Sequence, residues 1–409
     1  MSRLVVDTTP LRVSFRFRRL FIGQLFAFVG RQMTVVAVPF QAFELTGSTL
    51  LVGTLGFVQF VPLIAVSILG GPLIDAVDRR KVLVVSQLLL AGTAAGLTLN
   101  AALPSPMVWP LFVLSGLNAG LSAIDGPARI ASLPSILERD LLVSGFALNQ
   151  VLSQVSTGLG PLLAGLMIAR AGLPVTYAVE GVCFVVAALV MAGVGPLVPE
   201  GGPVSAGLRS IREGWEYLKS ERLVQSLFVI DLSAMVFGMP RALFPAIGTE
   251  IFGGDASTVG LLFAAPGIGS LAAALTSGWV GTVRMPGRVV VYSVLTWGAT
   301  VALFGLTQSL VVALVLLAIA GGADVISAVF RNTILQLAVP DRMRGRLTSL
   351  NTAVVAGGPR LGDLEAGAVA SAVSLRFSVV SGGVACIVGA LAVARFMPQL
   401  WRYRIDEAG

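Results

Sequence analysis

Several charged side chains lie inside long apolar stretches of this sequence, and six of them are the first candidates for chemistry. They are Arg31, Arg241, Arg360, Asp125, Asp363 and Glu365. If these stretches cross a bilayer, a charge near its centre costs roughly 2.5–3.5 kcal/mol on insertion scales and usually serves a substrate or ion pathway. Because an arginine keeps its proton, we expect Arg31 and Arg241 to attract an anionic or catechol-bearing substrate and a carboxylate to carry a proton. Two glutamines of the first stretch, Gln24 and Gln41, are further substrate-binding candidates.

Asp363 is our first candidate for the residue that carries the proton, and Asp125 is the second. Arg360 precedes Asp363 by three residues, so the two share a helix face and are predicted to pair. Glu365 belongs to the same cluster. Burial and a nearby arginine act in opposite directions on the affinity of a carboxyl group for a proton. Alternating exposure of such a group could therefore couple a proton to transport.

A structural alternative remains open for these charges. Arg360 and Asp363 would then form a static pair, and three aspartates would cap helix ends at the membrane interface, namely Asp125, Asp231 and Asp324. For Asp231 and Asp324 we favour capping, and for Arg241 we favour a functional role.

Several chemistries are excluded by residue types that are missing. The sequence has no histidine, and its two cysteines, Cys183 and Cys386, sit in apolar runs and are predicted to be buried free thiols. No G-x-x-x-x-G-K-S/T phosphate loop occurs. We therefore expect no metal, no cofactor and no enzymatic activity. The net charge of +7 does not indicate a nucleic-acid partner, because the basic residues are spread between the apolar segments.

The composition predicts an all-α membrane protein. Of 409 residues, 56% are hydrophobic and 12% are charged, against about 25% charged in soluble domains, and the mean hydropathy is +0.89. At about 20 apolar residues per span there is room for roughly ten to twelve spans. This excludes a soluble enzyme and a single-span receptor. The apolar runs predict twelve transmembrane helices, at 17–43, 50–74, 82–103, 107–128, 142–169, 174–196, 223–248, 257–282, 289–307, 309–330, 347–372 and 377–398.

The basic residues predict the orientation of these spans. With both termini in the cytoplasm, 23 of the 28 basic residues fall in cytoplasmic segments and only Arg170 and Arg376 in outer loops, as the positive-inside rule requires. The predicted organisation is a cytoplasmic arm, a first half of six helices, a cytoplasmic linker, a second half of six helices and a cytoplasmic tail. Their bounds are 1–16, 17–196, 197–222, 223–398 and 399–409.

The two predicted halves share a faint internal repeat. Leu148-Asn149 and Leu350-Asn351 lie 202 residues apart, and Gly160 and Gly362 share that offset. Transporters built from two parallel six-helix repeats bind their substrate near mid-membrane, between the halves. A chance match of small residues in helices rich in alanine and glycine remains the alternative.

A glycine-containing, basic segment follows the second span, G-G-P-L-I-D-A-V-D-R-R-K-V-L from Gly70 to Leu83. It resembles the loop 2–3 signature of the major facilitator superfamily, G-x-L-x-D-(R)-x-G-R-(K). The matching residues are Gly71, Leu73, Asp75, Arg79 and Arg80, whereas Ala76 and Asp78 depart from the pattern. The resemblance implies a gating loop and the major facilitator fold. A plain basic loop would explain the arginines but not Gly-x-Leu-x-Asp.

The fifth span carries S-T-G-L-G-P-L-L-A-G, which resembles the G-P-x-x-G-G signature of exporters in that superfamily. Gly160, Pro161 and Gly165 match, and the proline permits a helix kink. This favours efflux over uptake, although Gly and Pro in a packed membrane helix without functional meaning remain the alternative. The fourth span has Gly116 where many proton-coupled members have an arginine four residues before a glycine, which puts the usual proton relay in doubt.

Further segments resemble the enterobactin-exporter branch of the superfamily. They are A-V-P-F-Q at 37–41, N-A-A-L-P at 100–104, R-A-L-F-P-A at 241–246, A-L-T-S-G at 274–278, G-R-L at 345–347 and G-D at 362–363. The resemblance implies a monomeric exporter in the bacterial inner membrane. It would move an anionic or amphiphilic small molecule, a siderophore among the candidates, in exchange for protons. A multidrug:proton antiporter and a non-transporting sensor or scaffold of the same fold remain as alternatives.

Overall fold

The computed structural model describes residues 7–198 and 208–405, with side chains throughout that part except at 67–76, 208–212, 341, 342, 345 and 349. Within it, every regular element is helical. We number the α-helices in chain order. They are α1 (Thr9–Val13), α2 (Phe15–Thr46), α3 (Thr49–Ala76), α4 (Arg79–Ala101), α5 (Trp109–Ser132), α6 (Leu142–Ala192), α7 (Leu208–Ser220), α8 (Arg222–Phe237), α9 (Phe244–Ala246), α10 (Ala256–Leu275), α11 (Pro286–Leu306), α12 (Leu310–Ala338), α13 (Asp341–Ala372), α14 (Leu375–Phe396) and α15 (Pro398–Arg402).

Nine helical segments of the described chain are long and apolar enough to cross a membrane. One of them contains α6, whose 51 residues are interrupted at Gly172, where φ is 81° and ψ is 171°. Only glycine adopts this backbone readily, so α6 consists of two consecutive helices. Helices α5 and α13, with 24 and 32 residues, also have the length of a span, and they contain two and seven charged residues. The number of twelve spans stays a prediction.

The first compact unit comprises Met1–Gln41 and Val58–Ala206. In it α4 packs against both α5 and α6. An apolar cluster around Phe17, Leu83 and Leu133 closes one end of these helices. The packing brings α2, α4, α5 and α6 together and so fixes the polar side chains that they carry.

The second compact unit comprises Ala42–Phe57 and Gly207–Gly409. Its helices approach closely at glycines. A Cβ added to Gly269 of α10 would lie 1.7 Å from the carbonyl oxygen of Ala318 on α12, and one on Gly321 would lie 2.0 Å from the carbonyl oxygen of Pro266. Small residues at both contacts allow backbone-to-backbone packing.

Two of the predicted spans end before their helices do. The fourth helix continues to Ser132 and the tenth to Ala338, so Arg129 and Arg331, assigned from the sequence to cytoplasmic segments, lie inside helices. Each arginine is ion-paired, which removes the reason for the helix to end before it. The predicted seventh span, 223–248, lies within one helical segment that is long and apolar enough to cross a membrane, Arg222–Ile251. That segment is irregular inside, because α8 ends at Phe237 and Pro240 precedes a 3-10 turn at Arg241–Leu243.

Candidate functional site

A buried carboxylate joins three helices of the first unit. Asp125 of α5 is 0% exposed. It accepts hydrogen bonds from Arg31 Nη2 of α2 at 3.1 Å, from Gln87 Nε2 of α4 at 2.7 Å and from Arg129 Nη2 of α5. Charge-assisted hydrogen bonds are the strongest type in proteins. Asp125 is therefore a fully bonded anion held between two guanidinium groups.

The local sequence explains this arrangement. Asp125 and Arg129 are four residues apart on α5 and so lie on one face. Phe28 stands three residues before Arg31 on α2, and its ring centre is 5.8 Å from the guanidinium carbon of Arg31 and 5.0 Å from that of Arg129. A guanidinium near an aromatic ring gains a cation–π attraction, which grows when water is excluded.

A second acid lies beside this cluster. Glu180 of α6 is 0% exposed, and its Oε1 accepts a hydrogen bond from the Thr34 hydroxyl of α2. Its Oε2 has no hydrogen-bond partner in the described part of the chain. Arg31 interacts with Glu180 electrostatically. Two arginines and two acids thus balance one another within the first unit.

A cavity of about 450 Å³ opens beside Arg129 in the first unit. This volume falls within the range of roughly 300–1,000 Å³ found for small-molecule sites. Its walls combine one cation, two aromatic rings and polar side chains. These lining residues include Arg129, Phe28, Phe146, Asn149, Gln150 and Ser153. Such a wall can bind a molecule that carries an anionic group and a ring.

The two predicted glutamines differ in their relation to this cavity. Gln24 is buried and donates to Oδ1 of Asn149, which lines the cavity. Gln41 is also buried, but its Oε1 accepts a hydrogen bond of 2.9 Å from the Tyr177 hydroxyl, and Gln41 does not line the cavity. Gln24 thus supports a cavity residue, whereas Gln41 joins α2 to α6.

The predicted charged cluster of the second unit has a different pairing from the one expected. Oδ1 of Asp363 accepts the Ala242 amide at 3.0 Å, and Nη1 of Arg360 donates to the Ala356 carbonyl at 2.9 Å. The predicted pairing of Arg360 with Asp363 is therefore only a longer-range attraction. The reason is that each side chain hydrogen-bonds to a backbone group instead. Arg241 also interacts electrostatically with Asp363.

Glu365 lies in the same helix as Arg360 and Asp363 and is partly buried. Residues two positions apart on a helix point to different sides of it, so Glu365 does not share the face of Asp363. The structure brings Arg241 close to the predicted acid but leaves Glu365 apart.

Asp231 and Asp324 do not cap helix ends, contrary to our preference from the sequence. The N-cap positions of α8 and α12 are Glu221 and Ser309. Asp231 lies well inside α8 and is 1% exposed, and Asp324 lies in the middle of the lengthened α12. The full length of α12 places Asp324 far from both helix ends, and Asp231 is buried inside α8.

The described part of the predicted gating loop ties three segments together. Arg79 donates through Nη1 to the Ala131 carbonyl at 2.8 Å, and its amide donates to the Leu197 carbonyl at 3.1 Å. Asp78, which departs from the family pattern, accepts the amides of Leu197 and Arg80 at 2.9 and 3.0 Å. The side chains of Gly71, Leu73 and Asp75 lie outside the described residues.

The exporter-like segment permits a close helix contact rather than a break. A Cβ added to Gly160 would lie 2.3 Å from Cγ of Gln32 on α2. Pro161 and Gly165 are buried in α6. The interruption of α6 at Gly172 lies between the predicted fifth and sixth spans, so the kink permitted at Pro161 stays a prediction.

Several residues of these clusters were not identified from the sequence, namely Phe28, Gln87, Arg129 and Arg331. The internal repeat contained a usable signal. The offset of 202 residues that relates Leu148 to Leu350 also relates Arg129 to Arg331 and Asp125 to Ser327. Applied to polar residues, it would have predicted corresponding buried arginines in α5 and α12.

Comparisons with known proteins agree with this architecture. The family described as transmembrane secretion effector matches residues 6–403. Proteins named enterobactin exporter EntS from Shigella boydii serotype 4 and Escherichia coli O139:H28 are each 27% identical over 408 residues, which covers 98% of this chain and 96% of theirs.

Solved structures share the fold at low sequence identity. A bacterial homologue of the human lysosomal transporter Spinster, inward-facing and unoccupied, superposes with a TM-score of 0.78 at 14% identity, covering 98% of this chain and 100% of that one. The nucleoside transporter NupG gives a TM-score of 0.74 at 12% identity, covering 95% of this chain and 100% of its own. The family match and the curated relatives indicate a multi-span membrane transporter rather than an enzyme. The chain belongs to the transmembrane secretion effector family of the major facilitator superfamily.

Proposed function

We propose that this protein is a secondary active exporter that moves an anionic, aromatic small molecule out of the cytoplasm by alternating access, in exchange for protons. The observation that carries this proposal is the position of Arg129, whose guanidinium lies beside Phe28 in the wall of a cavity of about 450 Å³. A cation supported by an aromatic ring suits a substrate that has both a negative charge and a ring. Twelve spans in two halves, with both termini in the cytoplasm of a bacterium, complete the proposal.

A siderophore of the enterobactin type is the first candidate substrate. The curated relatives that align over nearly the whole chain carry the name enterobactin exporter. The amides of Asn149 and Gln150 and the hydroxyl of Ser153 add hydrogen-bonding groups to the same wall. Polar groups placed around apolar walls are the usual basis of orientation in small-molecule sites.

A multidrug:proton antiporter is the second candidate, and the apolar part of the cavity favours it. Phe28, Ile130 and Phe146 form a wall that would accept many flat molecules. A non-transporting sensor or scaffold would not need a cavity of this kind, so we place it third.

For the proton, the bonding of the predicted acids supports a division of roles. Asp125 is saturated by donors, which favours a structural role and the orientation of Arg129. Asp363 accepts a hydrogen bond from the backbone amide of Ala242, and so stays the stronger of the two candidates. The loop residues Arg79 and Arg80, and the exporter-like segment at Gly160–Gly165, would serve conformational change.

The test is an export assay in a strain that lacks its own exporters, with enterobactin and ethidium as probes. Arg129→Lys keeps a positive charge but loses the planar guanidinium, and these side chains are not equivalent at such sites. We expect this variant to lose most of the export of the anionic probe. Arg170→Lys is the matched control, because Arg170 is exposed outside the cavity, and it should export normally.

The two probes separate the candidates. Export of enterobactin without ethidium would support the siderophore, and export of ethidium alone would support the drug antiporter. If Arg129→Lys exports every transported probe at the wild-type rate, the proposed role of the cavity is refuted.

A further inference from the structure

One arginine of the second unit is paired with an acid of another helix and interacts electrostatically with an acid of its own helix. Arg331 of α12 forms an ion pair with Asp231 of α8, with Nη2 and Oδ1 at 2.7 Å. Its Nη1 also donates to the Ser327 hydroxyl, one turn earlier on α12, at 2.6 Å. The side chains of Arg331 and Asp231 are only 8% and 2% exposed. The pair is thus removed from water and joins two different helices.

A second acid shares the field of this arginine. Asp324 precedes Arg331 by seven residues, which places both on one face of α12 two turns apart. Asp324 interacts electrostatically with Arg331 and with Arg241. Its Oδ1 is buried and accepts no hydrogen bond from the described residues. A buried charged oxygen without a donor is costly, and a bound proton removes that cost.

The elements around Asp324 offer few other charges. Helix α10 contains none, and α11 contains only Arg288, near its start. Asp231 faces the same arginine from α8 and also interacts with Asp324. Two carboxylates therefore compete for Arg331, and Arg241 is the second cation in range. Close carboxylates of this kind hold a proton between them more readily than isolated ones.

The corresponding position of the first unit differs in one respect. Arg129 is equivalent to Arg331 by the offset of 202 residues, but its acid, Asp125, accepts three hydrogen bonds. The first unit also has a buried acid oxygen without a donor in the described part of the chain, Oε2 of Glu180, but this acid lies on α6 and interacts with Arg31. Among the residues described, the repeat therefore retains the arginine in both units and places an acid with an unpartnered buried oxygen on the arginine's own helix in the second unit.

We propose that Asp324, together with Asp231 and Arg331, forms the proton-binding site of the second unit. The inference rests on the proposed proton-coupled export and adds a site to it. A proton on Asp324 leaves Arg331 to Asp231 alone, and release of the proton makes the two acids share it. The spacing of α8 and α12 would then depend on the proton. Arg241 interacts electrostatically with both Asp324 and Asp363. A change in the charge of Asp324 therefore also affects Asp363 through Arg241.

A spectroscopic test does not require a known substrate. The full-length protein in lipid vesicles would be titrated, and the infrared band of protonated carboxylic acids recorded. We expect the wild type to show a band that Asp324→Asn lacks. Asp255→Asn is the matched control, since Asp255 is an exposed acid at the start of α10, and it should keep the band. An unchanged band in Asp324→Asn overturns the proposal.

A second variant keeps the test decisive if Asp324→Asn does not fold. Asp324→Glu retains a carboxyl group in a new position. Its band should move if the protonated group belongs to residue 324, and a band that does not move overturns the proposal.

A transport measurement separates this site from the proposed function. With whichever probe the wild type exports, Asp324→Asn should keep probe exchange at equal pH and lose accumulation driven by a pH gradient. Loss of both or of neither contradicts a proton-binding role. A wild type that moves no probe would refute the proposed export, whereas the infrared result would still decide the proton site.

Discussion

Replacing Asp125 by asparagine should destabilise the first unit more than the second. Asparagine has nearly the same shape but no charge, so the guanidiniums of Arg31 and Arg129 lose their shared anion. Removing one partner of a buried ion pair typically costs about 3–5 kcal/mol. We expect a loss in that range, because Asp125 is 0% exposed and bonded from three helices.

A compensating change should restore part of this stability. Arg129→Gln in the Asp125→Asn background removes one of the two uncompensated charges and returns the cluster to its original net charge. Groups in one hydrogen-bonded network show interaction energies of roughly 0.5–3 kcal/mol in double-mutant cycles. The double variant should therefore be more stable than Asp125→Asn by an amount of this size.

The two cysteines provide the assay, because each unit contains one and both are buried. Cys183 is 8% exposed and Cys386 is 0% exposed. A fluorogenic maleimide reacts with a buried thiol only after the surrounding structure opens. In a Cys386→Ala background the dye reports on the first unit during heating, and in a Cys183→Ala background it reports on the second.

The expected result is a lower unfolding temperature at Cys183 than at Cys386 in the Asp125→Asn protein, with partial recovery in the double variant. If Cys183 becomes reactive at the wild-type temperature, Asp125 does not hold the cluster together. An equal shift at both cysteines would mean that the effect is not confined to the first unit.

Two further perturbations test the second unit through Cys386. Gly269→Ala should cost about 1–3 kcal/mol through overpacking and so lower the unfolding temperature at Cys386, because the new Cβ would lie 1.7 Å from the Ala318 carbonyl oxygen. Gly278→Ala in the same unit, with nothing within 4 Å of the new Cβ, should not. Asp255→Ala should cost about 1 kcal/mol through loss of the N-cap of α10, and Asp255→Asn less. Hydrogen bonds from Ser257 lower the pKa of Asp255 from 3.8, so the ionised cap stabilises above that pH. The cost of Asp255→Ala should shrink as the pH falls below it, and a cost independent of pH would contradict this role.

Much of the architecture follows from local properties of the sequence. Long apolar runs predict helices because a backbone in lipid must satisfy its own hydrogen bonds. The loop at Gly70–Leu83 and the segment at Gly160–Gly165 resemble short family signatures, and the family match over residues 6–403 agrees with them. Two predicted spans end too early, near Arg129 and Arg331, where a charge suggested a loop. Each arginine instead stays inside a helix because it is ion-paired, Arg129 with Asp125 one turn earlier and Arg331 with Asp231 of another helix.

The partners of the charges could not be read in the same way. Asp125 and Arg129 are neighbours on one helix, but Arg31 lies 94 residues from Asp125 in the chain, and Asp231 is paired with an arginine of another helix. Such pairs depend on which helix faces pack together, a property that single-helix periodicity does not contain.

The sequence by itself determined that this chain is a helical membrane protein of a transporter superfamily, because hydropathy, charge distribution and short motifs act over one helix or one loop. Only the tertiary structure decided which buried acids are surrounded by hydrogen-bond donors and which keep an oxygen without one. The physical reason is that burial, pairing and cavity walls arise from several helices at once. Asp125 and Asp324 are both acids in apolar helices, yet packing surrounds the first with donors and leaves an oxygen of the second without one.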